Sequence, residues 1–165
     1  MDLKRVIRHA FAPDWLVYRR FPRAALKRIE AGIRESETMH TGELRVALEA
    51  SLDFMPLIKG VTPRQRAHEL FSRLRAWDTE HNSGVLVYLQ LVDRDIEIIA
   101  DRGIAAKVGQ AQWDAICRRM EREFRARRFE QGVLDGIQEI GALLARHFPA
   151  RGANPDELPD WPVVL

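Results

Sequence analysis

One stretch dominates the hydrophobic pattern of the chain, residues 85–92, which reads V-L-V-Y-L-Q-L-V. A short run this rich in Val and Leu, bounded by turn residues, is typical of a strand that is buried on both faces. Residues 92–95 then reverse the chain, and residues 96–100 predict a second strand that returns alongside the first. The stretch therefore predicts an antiparallel hairpin at the centre of the fold.

Alternating apolar and polar residues predict a further strand at residues 43–51, with one face in solvent and a place near a sheet edge. Between this strand and the hairpin, a helix is predicted to begin at Thr62, where Pro63 in the first turn and Gln65 complete a capping box. A strand, a helix and a strand in this order imply a right-handed crossover, which places residues 43–51 parallel to residues 85–92.

Three more helices are predicted from apolar residues at three-and-four spacing. They begin near Pro22, Trp113 and Gly132, and the last of them ends at Pro149. We therefore predict an α/β fold, a three-layer-like sandwich in which a small mixed sheet is flanked by helices. The sheet combines a parallel crossover with an antiparallel hairpin.

The chain divides by composition into three parts. Residues 1–22 are basic and aromatic, residues 23–149 form a single α/β domain, and residues 150–165 form a Pro-rich tail that we expect to extend over the surface. The first part fits either a helix docked on the domain or an arm that contacts an acidic membrane surface or a protein partner. We favour the docked helix because the apolar face is short. Its docking side chains would be Phe11, Trp15 and Leu16.

Composition excludes several classes of protein. The chain is 46% apolar and 30% charged with a net charge of +2, and without a basic stripe it is not expected to bind nucleic acid. Cys117 is the only cysteine, and its place on the apolar face of a predicted helix indicates a buried, inert thiol. The charged N-terminus lacks a signal-peptide pattern, and no stretch reaches the ~20 apolar residues that span a bilayer. We therefore expect a cytoplasmic protein.

Several carboxylates and one amide are predicted to meet at one rim of the sheet. The hairpin places the start of its first strand beside the end of its second, and the parallel strand at residues 43–51 begins at the same rim. Their oxygens suit calcium or magnesium, and two nearby histidines, His40 and His81, leave zinc open. The sequence thus predicts a divalent-cation site. Its candidate ligands are Glu43, Asp78, Glu80, Asn82 and Asp101.

The same residues have a simpler interpretation, in which they cap helix ends and bind turn amides. The opposite rim is where open α/β sheets usually bind ligands, at the carboxyl ends of their parallel strands. No catalytic residue is predicted, because the known catalytic motifs are absent and no nucleophile–base pair can be assembled. The residues at the opposite rim, which we interpret first as turn residues, are Ser51, Asp53, Asp93, Arg94 and Asp95.

Several motifs follow one another in a specific order along nearly the whole chain. They read H-T-G-E-L-R-V-A-L-E, T-P-R-Q-R-A-H-E-L-F-S-R-L-R-A-W-D-T-E-H-N-S-G-V-L-V-Y-L, D-R-D-I-E-I-I-A-D-R-G-I, F-E-Q-G-V-L-D-G-I and N-P-D-E-L-P-D-W-P-V-V-L. In this order the chain resembles the TPM domain family, and within it the short stand-alone bacterial branch without a membrane helix. Relatives often read N-N-G-V-L where this chain has Asn82-Ser83-Gly84. The resemblance implies an α/β sandwich.

The resemblance indicates function only in broad terms. A plant thylakoid relative is described as an acid phosphatase, and some bacterial relatives bind divalent cations. We therefore predict a module that binds a divalent cation and acts through protein partners, with peripheral membrane contact through residues 1–22 left open. The alternatives are a metal-dependent phosphatase, which rests on the family alone, and a purely structural interaction protein.

Overall fold

The computed structural model describes residues 3–150 and 157–165, which form eight helices and one four-stranded sheet. The predicted α/β fold with a small mixed sheet flanked by helices is confirmed. The helices are α1 Leu3–Ala10, α2 Trp15–Arg20, α3 Arg23–Glu37, α4 Phe54–Ile58, α5 Pro63–Arg73, α6 Arg102–Ala105, α7 Gln110–Arg125 and α8 Phe129–His147. The strands are β1 Leu44–Glu49, β2 Val85–Gln90, β3 Asp95–Ala100 and β4 Val163–Val164.

The sheet has the strand order β3-β2-β1-β4. Strand β1 runs parallel to β2 with Leu44 opposite Val85, and β2 runs antiparallel to β3 with Val85 opposite Ala100. The crossover between the two parallel strands contains α5, which begins with the predicted capping box of Thr62 and Gln65. Both the predicted crossover and the predicted hairpin are therefore present.

The two faces of the sheet bury different amounts of apolar surface. Alternate residues of β1, β2 and β3 pack against α3, α7 and α8 in the larger core, which includes Val46, Val87 and Ile137. The other face packs Leu86 and its neighbours against α5 in a smaller core. Each fully buried Leu, Ile or Val stabilises the fold by roughly 1.5–3 kcal/mol, so the larger core holds the domain together.

Strand β1 is an internal strand, and the expectation of a solvated face near a sheet edge is wrong. All six of its residues are buried, including Arg45 and Glu49. The Glu49 carboxylate accepts hydrogen bonds from Arg66 Nη2 on α5, at 2.7 Å, and from the Tyr88 hydroxyl, at 2.5 Å. A paired charge can be buried, and the alternation of residue types does not show whether a partner is present.

Part of the C-terminal tail completes the sheet. Residues 151–156 of the predicted tail lie outside the described residues, but Val163–Val164 pair with β1 in parallel, and the amide of Leu165 donates to the carbonyl of Leu48 at 2.9 Å. Like β4, helix α4 has no counterpart among the predicted elements.

Within residues 3–150 and 157–165, no helix combines the length and the apolar character needed to cross a membrane.

Candidate functional site

The amino-terminal rim of the sheet, where β1 and β2 begin and β3 ends, contains three of the five predicted cation ligands, Glu43, Asn82 and Asp101. The amide of Val85 donates to the carbonyl of Glu43 at 2.8 Å, and the amide of Asp101 donates to the carbonyl of Gly84 at 2.9 Å. The carbonyl of Asn82 accepts from the amide of Gly103 at 2.9 Å. Glu43, Asn82 and Asp101 therefore lie at this rim because the strand register aligns them.

The side chain of Glu43 binds the backbone of the C-terminal tail. Glu43 is buried, with only 1% of its surface exposed. Its carboxylate accepts hydrogen bonds from the backbone amides of Glu157, at 3.3 Å, and Leu158, at 3.1 Å. The tail in turn reaches Glu80, whose amide donates to the Glu157 carboxylate at 3.2 Å. Glu43 thus holds the tail over the rim, and the Glu80 side chain is exposed.

The other predicted ligands also have partners in the protein. Asp78 is exposed and pairs with Arg75 at 2.5 Å, and the side-chain oxygen of Asn82 accepts from Arg102 Nε at 3.0 Å. Asp101 caps α6, because its Oδ1 accepts the amide of Arg102 at 2.7 Å. Its Oδ2 is buried and has no hydrogen-bond partner among the described residues.

The two histidines near the rim differ in environment. His40 is buried, donates from Nδ1 to the carbonyl of Gly42 at 2.9 Å, and accepts the Ser36 hydroxyl at Nε2 at 3.0 Å. Burial lowers the pKa of His40, so its ring is neutral and both ring nitrogens are occupied. His81 is exposed, and its ring stacks on Phe148 with the centroids 6.4 Å apart.

Across residues 3–150 and 157–165, no three His, Cys, Asp or Glu side chains are grouped so that they could hold a metal ion. A cation at the amino-terminal rim would therefore depend on Asp101 Oδ2, backbone carbonyls and water. The side chains around it are arranged for capping and for binding the tail. The divalent-cation site stays a prediction.

A cluster of three acidic residues behind this rim joins α3, β1 and the tail. Burial, together with the charge of Glu43, raises the pKa of Glu37 to about 9, so this carboxyl is protonated at neutral pH. Glu37 accepts the amide of Leu44 at 2.9 Å and hydrogen bonds to Asp160, whose Oδ2 also accepts from Arg34 Nε at 3.1 Å. The cluster fastens the tail to the domain.

The carboxyl end of the parallel strands is organised around Asp93 at the hairpin tip. Asp93 accepts Arg5 Nη2 at 2.8 Å and His9 Nε2 at 3.0 Å, while the amide of Leu52 donates to His9 Nδ1 at 2.9 Å. Burial opposes ionisation here, but the hydrogen bonds from Arg5 and His9 outweigh it and hold the pKa of Asp93 below its usual range. Helix α1 therefore docks through polar side chains.

The docking side chains expected from the sequence are mostly not the ones used. Phe11 is 83% exposed and Trp15 is 56% exposed, whereas Leu16 is half-buried. The N-terminal residues that do enter the core are Val17 on α2 and Phe21 after it. Ser51 and Asp53 lie in the loop that leads into α4.

A cavity of about 590 Å3 opens beside Asp93, between α2, the hairpin tip and the connection from α7 to α8. Its apolar lining comes from Leu16, Leu89, Leu91, Phe124 and Phe129. Its charged lining comes from Arg20, Arg94, Asp95, Glu121, Arg125 and Arg127. We call it the arginine cavity.

Within residues 3–150 and 157–165, three of the four arginines that line the arginine cavity have no acidic partner. Arg125 pairs with Glu121 at 3.0 Å. The guanidinium of Arg20 lies 4.7 Å from the centroid of the Phe129 ring, a cation–π contact that holds it at the cavity wall. In the part of the chain that the structure describes, the side chains of Arg20, Arg94 and Arg127 form no hydrogen bond or ion pair.

Asp95, an acidic residue of the arginine cavity, has a raised pKa. Burial raises its pKa to about 6, and the charges of Glu97, Asp93 and Glu121 add to the increase. A carboxyl group with this pKa exchanges its proton near neutral pH, as a general acid must. Cys117 on α7 is half-buried and not fully buried as predicted, but burial raises the pKa of its thiol to about 12, which keeps the thiol protonated at neutral pH.

Sequence reasoning interpreted Arg94 and Asp95 first as turn residues and included Arg20 only within the basic segment of residues 1–22. It gave Arg127 no role. The signal that could have found the cavity is the general preference of ligands for the carboxyl ends of parallel strands. The sequence does not show that α2 and the α7–α8 connection approach that end, because no local pattern encodes this packing.

Comparison with known proteins agrees with this architecture. The family model for the TPM domain matches residues 20–143. The NMR structure of the BA42 protein from the psychrophilic bacterium Bizionia argentinensis is 31% identical, with a TM-score of 0.75 over 85% of this chain and 92% of that one. The N-terminal domain of a P. gingivalis protein, PgR37A, is 16% identical and has a TM-score of 0.60 over 85% and 94% of the two chains, which shows a shared fold.

No curated protein matches the chain. The family match spans most of the sequence and contains the whole α3-to-α7 arrangement around the hairpin. The two solved structures share its fold over nearly their entire length. This chain therefore belongs to the TPM domain family.

Proposed function

We propose that the chain binds phosphate monoesters in the arginine cavity and hydrolyses them. The observation that carries the proposal is the set of three arginines, Arg20, Arg94 and Arg127, that face one cavity without an acidic partner in the described structure. A guanidinium group matches the oxygens of a phosphate with two parallel hydrogen bonds. Several unpaired guanidinium groups at one cavity therefore favour a phosphate ligand.

The position and size of the cavity support the same ligand class. It lies at the carboxyl end of β2, which runs parallel to β1, and open α/β sheets usually bind ligands at the carboxyl ends of their parallel strands. A volume of about 590 Å3 accommodates a molecule of the size of a sugar phosphate or a mononucleotide. The rings of Phe124 and Phe129, 5.2 Å apart, provide an apolar surface for the organic part.

The backbone at two of the arginines adds to the argument. Arg94 and Arg127 have φ angles of 58° and 61°, in the left-handed region that glycine occupies most easily. Holding another residue there costs about 1 kcal/mol, and such positions cluster at functional sites. Arg75 has a φ angle of 56° as well, but it lies outside the cavity and pairs with Asp78.

Two carboxyl groups of the cavity suit the hydrolytic step. Water attacks phosphorus, the bond from phosphorus to the ester oxygen breaks, and Asp95 donates its proton to the departing alkoxide. Glu121 accepts the proton that the attacking water loses, and exchange with solvent restores both groups. The guanidinium groups stabilise the charge on the phosphoryl oxygens. The matching family model is itself named for phosphatases, which adds support from outside the cavity.

Phosphate binding can be separated from folding with three glycine variants. Arg94→Gly and Arg127→Gly remove a cavity arginine but relieve a strained backbone, so the change in stability is small because about 1 kcal/mol of strain offsets a similar loss of chain entropy. We expect each to weaken binding of inorganic phosphate about tenfold in calorimetric titrations, since a hydrogen bond to a charged group contributes roughly 1.5–3 kcal/mol.

Arg75→Gly is the matched control, because it relieves the same kind of strain at a position outside the cavity. It should bind phosphate like the wild type. Equal weakening in all three variants would mean that phosphate senses only the overall charge, and no binding by the wild type would remove the proposal. Asp95→Asn should abolish turnover of a simple aryl phosphate while phosphate binding persists.

The second candidate function is divalent-cation binding at the amino-terminal rim, as the sequence predicts. One observation favours it, the buried and unpartnered Oδ2 of Asp101. The hydrolytic step proposed above does not depend on this cation. The two functions would occupy opposite ends of the sheet and can be tested independently.

A further inference from the structure

Helix α1 turns its polar side towards the protein and its apolar side towards solvent. Arg5 and His9 are one turn apart and bind Asp93 on the hairpin. Leu3 and Ile7 lie on the opposite side of the helix and are 61% and 49% exposed. A helix that only covers a soluble domain shows the reverse arrangement.

The exposed apolar side chains of the chain are concentrated around this helix. Helix α1 packs against α4, and α2 follows α1 at the same carboxyl end of the parallel strands. Eight of the eleven large apolar side chains exposed among the described residues lie here. We call this surface the apolar pole, formed by Leu3, Ile7, Phe11, Trp15, Tyr18, Phe54, Met55 and Ile58.

Positive charge is concentrated at the same end. Residues 3–20 and 53–61 contain six Lys and Arg residues but only two acidic ones, whereas the whole chain has a net charge of +2. Lys4, Arg8, Arg19 and Lys59 are exposed around the apolar side chains. Arg19 also lies over the Trp15 ring, 5.9 Å from its centroid.

We propose that the apolar pole docks on the surface of an anionic lipid bilayer. The combination of exposed Leu, Ile and Phe with a Trp, a Tyr and surrounding cations is the one that lies in a membrane interface. The apolar side chains enter the boundary between headgroups and acyl chains, while the cations meet the negative headgroups. A second copy of this chain would present the same positive charge and be repelled, so charge complementarity selects the lipid surface.

Flotation with lipid vesicles tests this docking on the full chain. Wild-type protein should float with phosphatidylcholine vesicles that contain about 30% phosphatidylglycerol, and binding should weaken when salt rises from about 50 to about 500 mM. Vesicles of phosphatidylcholine alone should bind at least tenfold less. Ile7→Glu should reduce binding to the anionic vesicles about tenfold, and Lys4→Glu should reduce it several-fold.

Met39→Glu is the matched control, because Met39 is 50% exposed, like Ile7, but lies before β1 at the opposite end of the sheet. It should bind vesicles like the wild type, and thermal melts should show both variants folded. No flotation of the wild type, or equal loss in Ile7→Glu and Met39→Glu, would overturn the proposal. Dimer formation that Ile7→Glu abolishes, without vesicle binding, would assign the apolar pole to a second copy instead.

Discussion

At the amino-terminal rim, the acidic side chains are used to build the molecule, whereas at the carboxyl end the basic side chains around the cavity are left for something else. Glu43 binds two amides of the tail, and Asp78 pairs with Arg75. Arg20, Arg94 and Arg127 face the arginine cavity without such bonds in the described structure. The two ends therefore differ less in how many charges they carry than in whether those charges are satisfied within the protein.

This difference has a physical basis. A buried carboxylate is strongly destabilising unless hydrogen bonds replace its hydration, so Glu43, which the tail covers, is satisfied by two amides of the tail. The buried Oδ2 of Asp101 is an exception at this rim among the described residues. The arginine cavity is open to solvent, and its guanidinium groups keep their hydration until a ligand replaces it. A satisfied cluster indicates stability, and an unsatisfied one in a cavity indicates binding.

The largest expected effect comes from shortening the chain so that it ends before Glu157. This removes β4, both amides that bind Glu43, and the pair of Asp160 with Arg34. The free energy of unfolding should fall by about 3–5 kcal/mol, because the hydrogen bonds of β4, the two amides that bind Glu43 and the ion pair of Asp160 are lost together. Urea denaturation measures it, and the comparison between the two ends would be wrong if the loss stayed below that of Arg94→Gly.

A cation bound at the amino-terminal rim would show that this end of the sheet, whose acidic side chains otherwise stabilise the fold, also binds a ligand. At a hundredfold excess over its Kd, calcium or magnesium should stabilise the folded chain by about 2.7 kcal/mol, and Asp101→Asn should remove the increase. Asp114→Asn, which changes an exposed carboxylate on α7, should keep it. The measurement is the melting temperature with and without each cation, and an unchanged wild type would leave the rim purely structural.

Glu37→Gln sharpens the comparison through pH. Because the folded-state pKa of about 9 lies above the unfolded value, the stability provided by the protonated Glu37 is complete below about pH 4.5 and is lost as pH rises towards 9. Glutamine keeps a donor for Asp160 without a charge, so the variant should be more stable than the wild type at pH 8, by about 2 kcal/mol. Between pH 5 and about 9, the free energy of unfolding should change less with pH in the variant than in the wild type. An equal pH dependence in both proteins would refute the raised pKa of Glu37.

Asp95→Asn is the corresponding change at the carboxyl end and should have the smallest effect. Since the pKa of Asp95 is raised to about 6, its contribution to stability is complete below about pH 4 and is lost as pH rises through 6. The variant should gain about 1 kcal/mol over the wild type at pH 7, a value reduced because the carboxyl group is partly solvated. Chemical denaturation across this range, with Asp114→Asn as the control, would detect it; a destabilised variant would contradict the prediction.

Much of the fold could be predicted from local patterns. The apolar run at residues 85–92, the turn after it and the capping box at Thr62 each report on neighbours in the chain, and all three are present. Strand β1 was misjudged because Arg66, which pairs with Glu49, and Tyr88, which donates a hydrogen bond to it, are distant in sequence. Alternation reveals which side chains share a face but not what covers that face.

The sequence by itself determined the order of the main elements and the pairing of β1, β2 and β3, and therefore which residues share each end of these strands. Those properties follow from backbone geometry and from periodic burial, which are local. Only the tertiary structure decided which charges are satisfied: that the tail occupies Glu43, that α1 binds Asp93, and that Arg20 and Arg127 converge with Arg94. Whether a charge is satisfied depends on distances of about 3 Å between groups that are far apart in the chain, and only packing sets those distances.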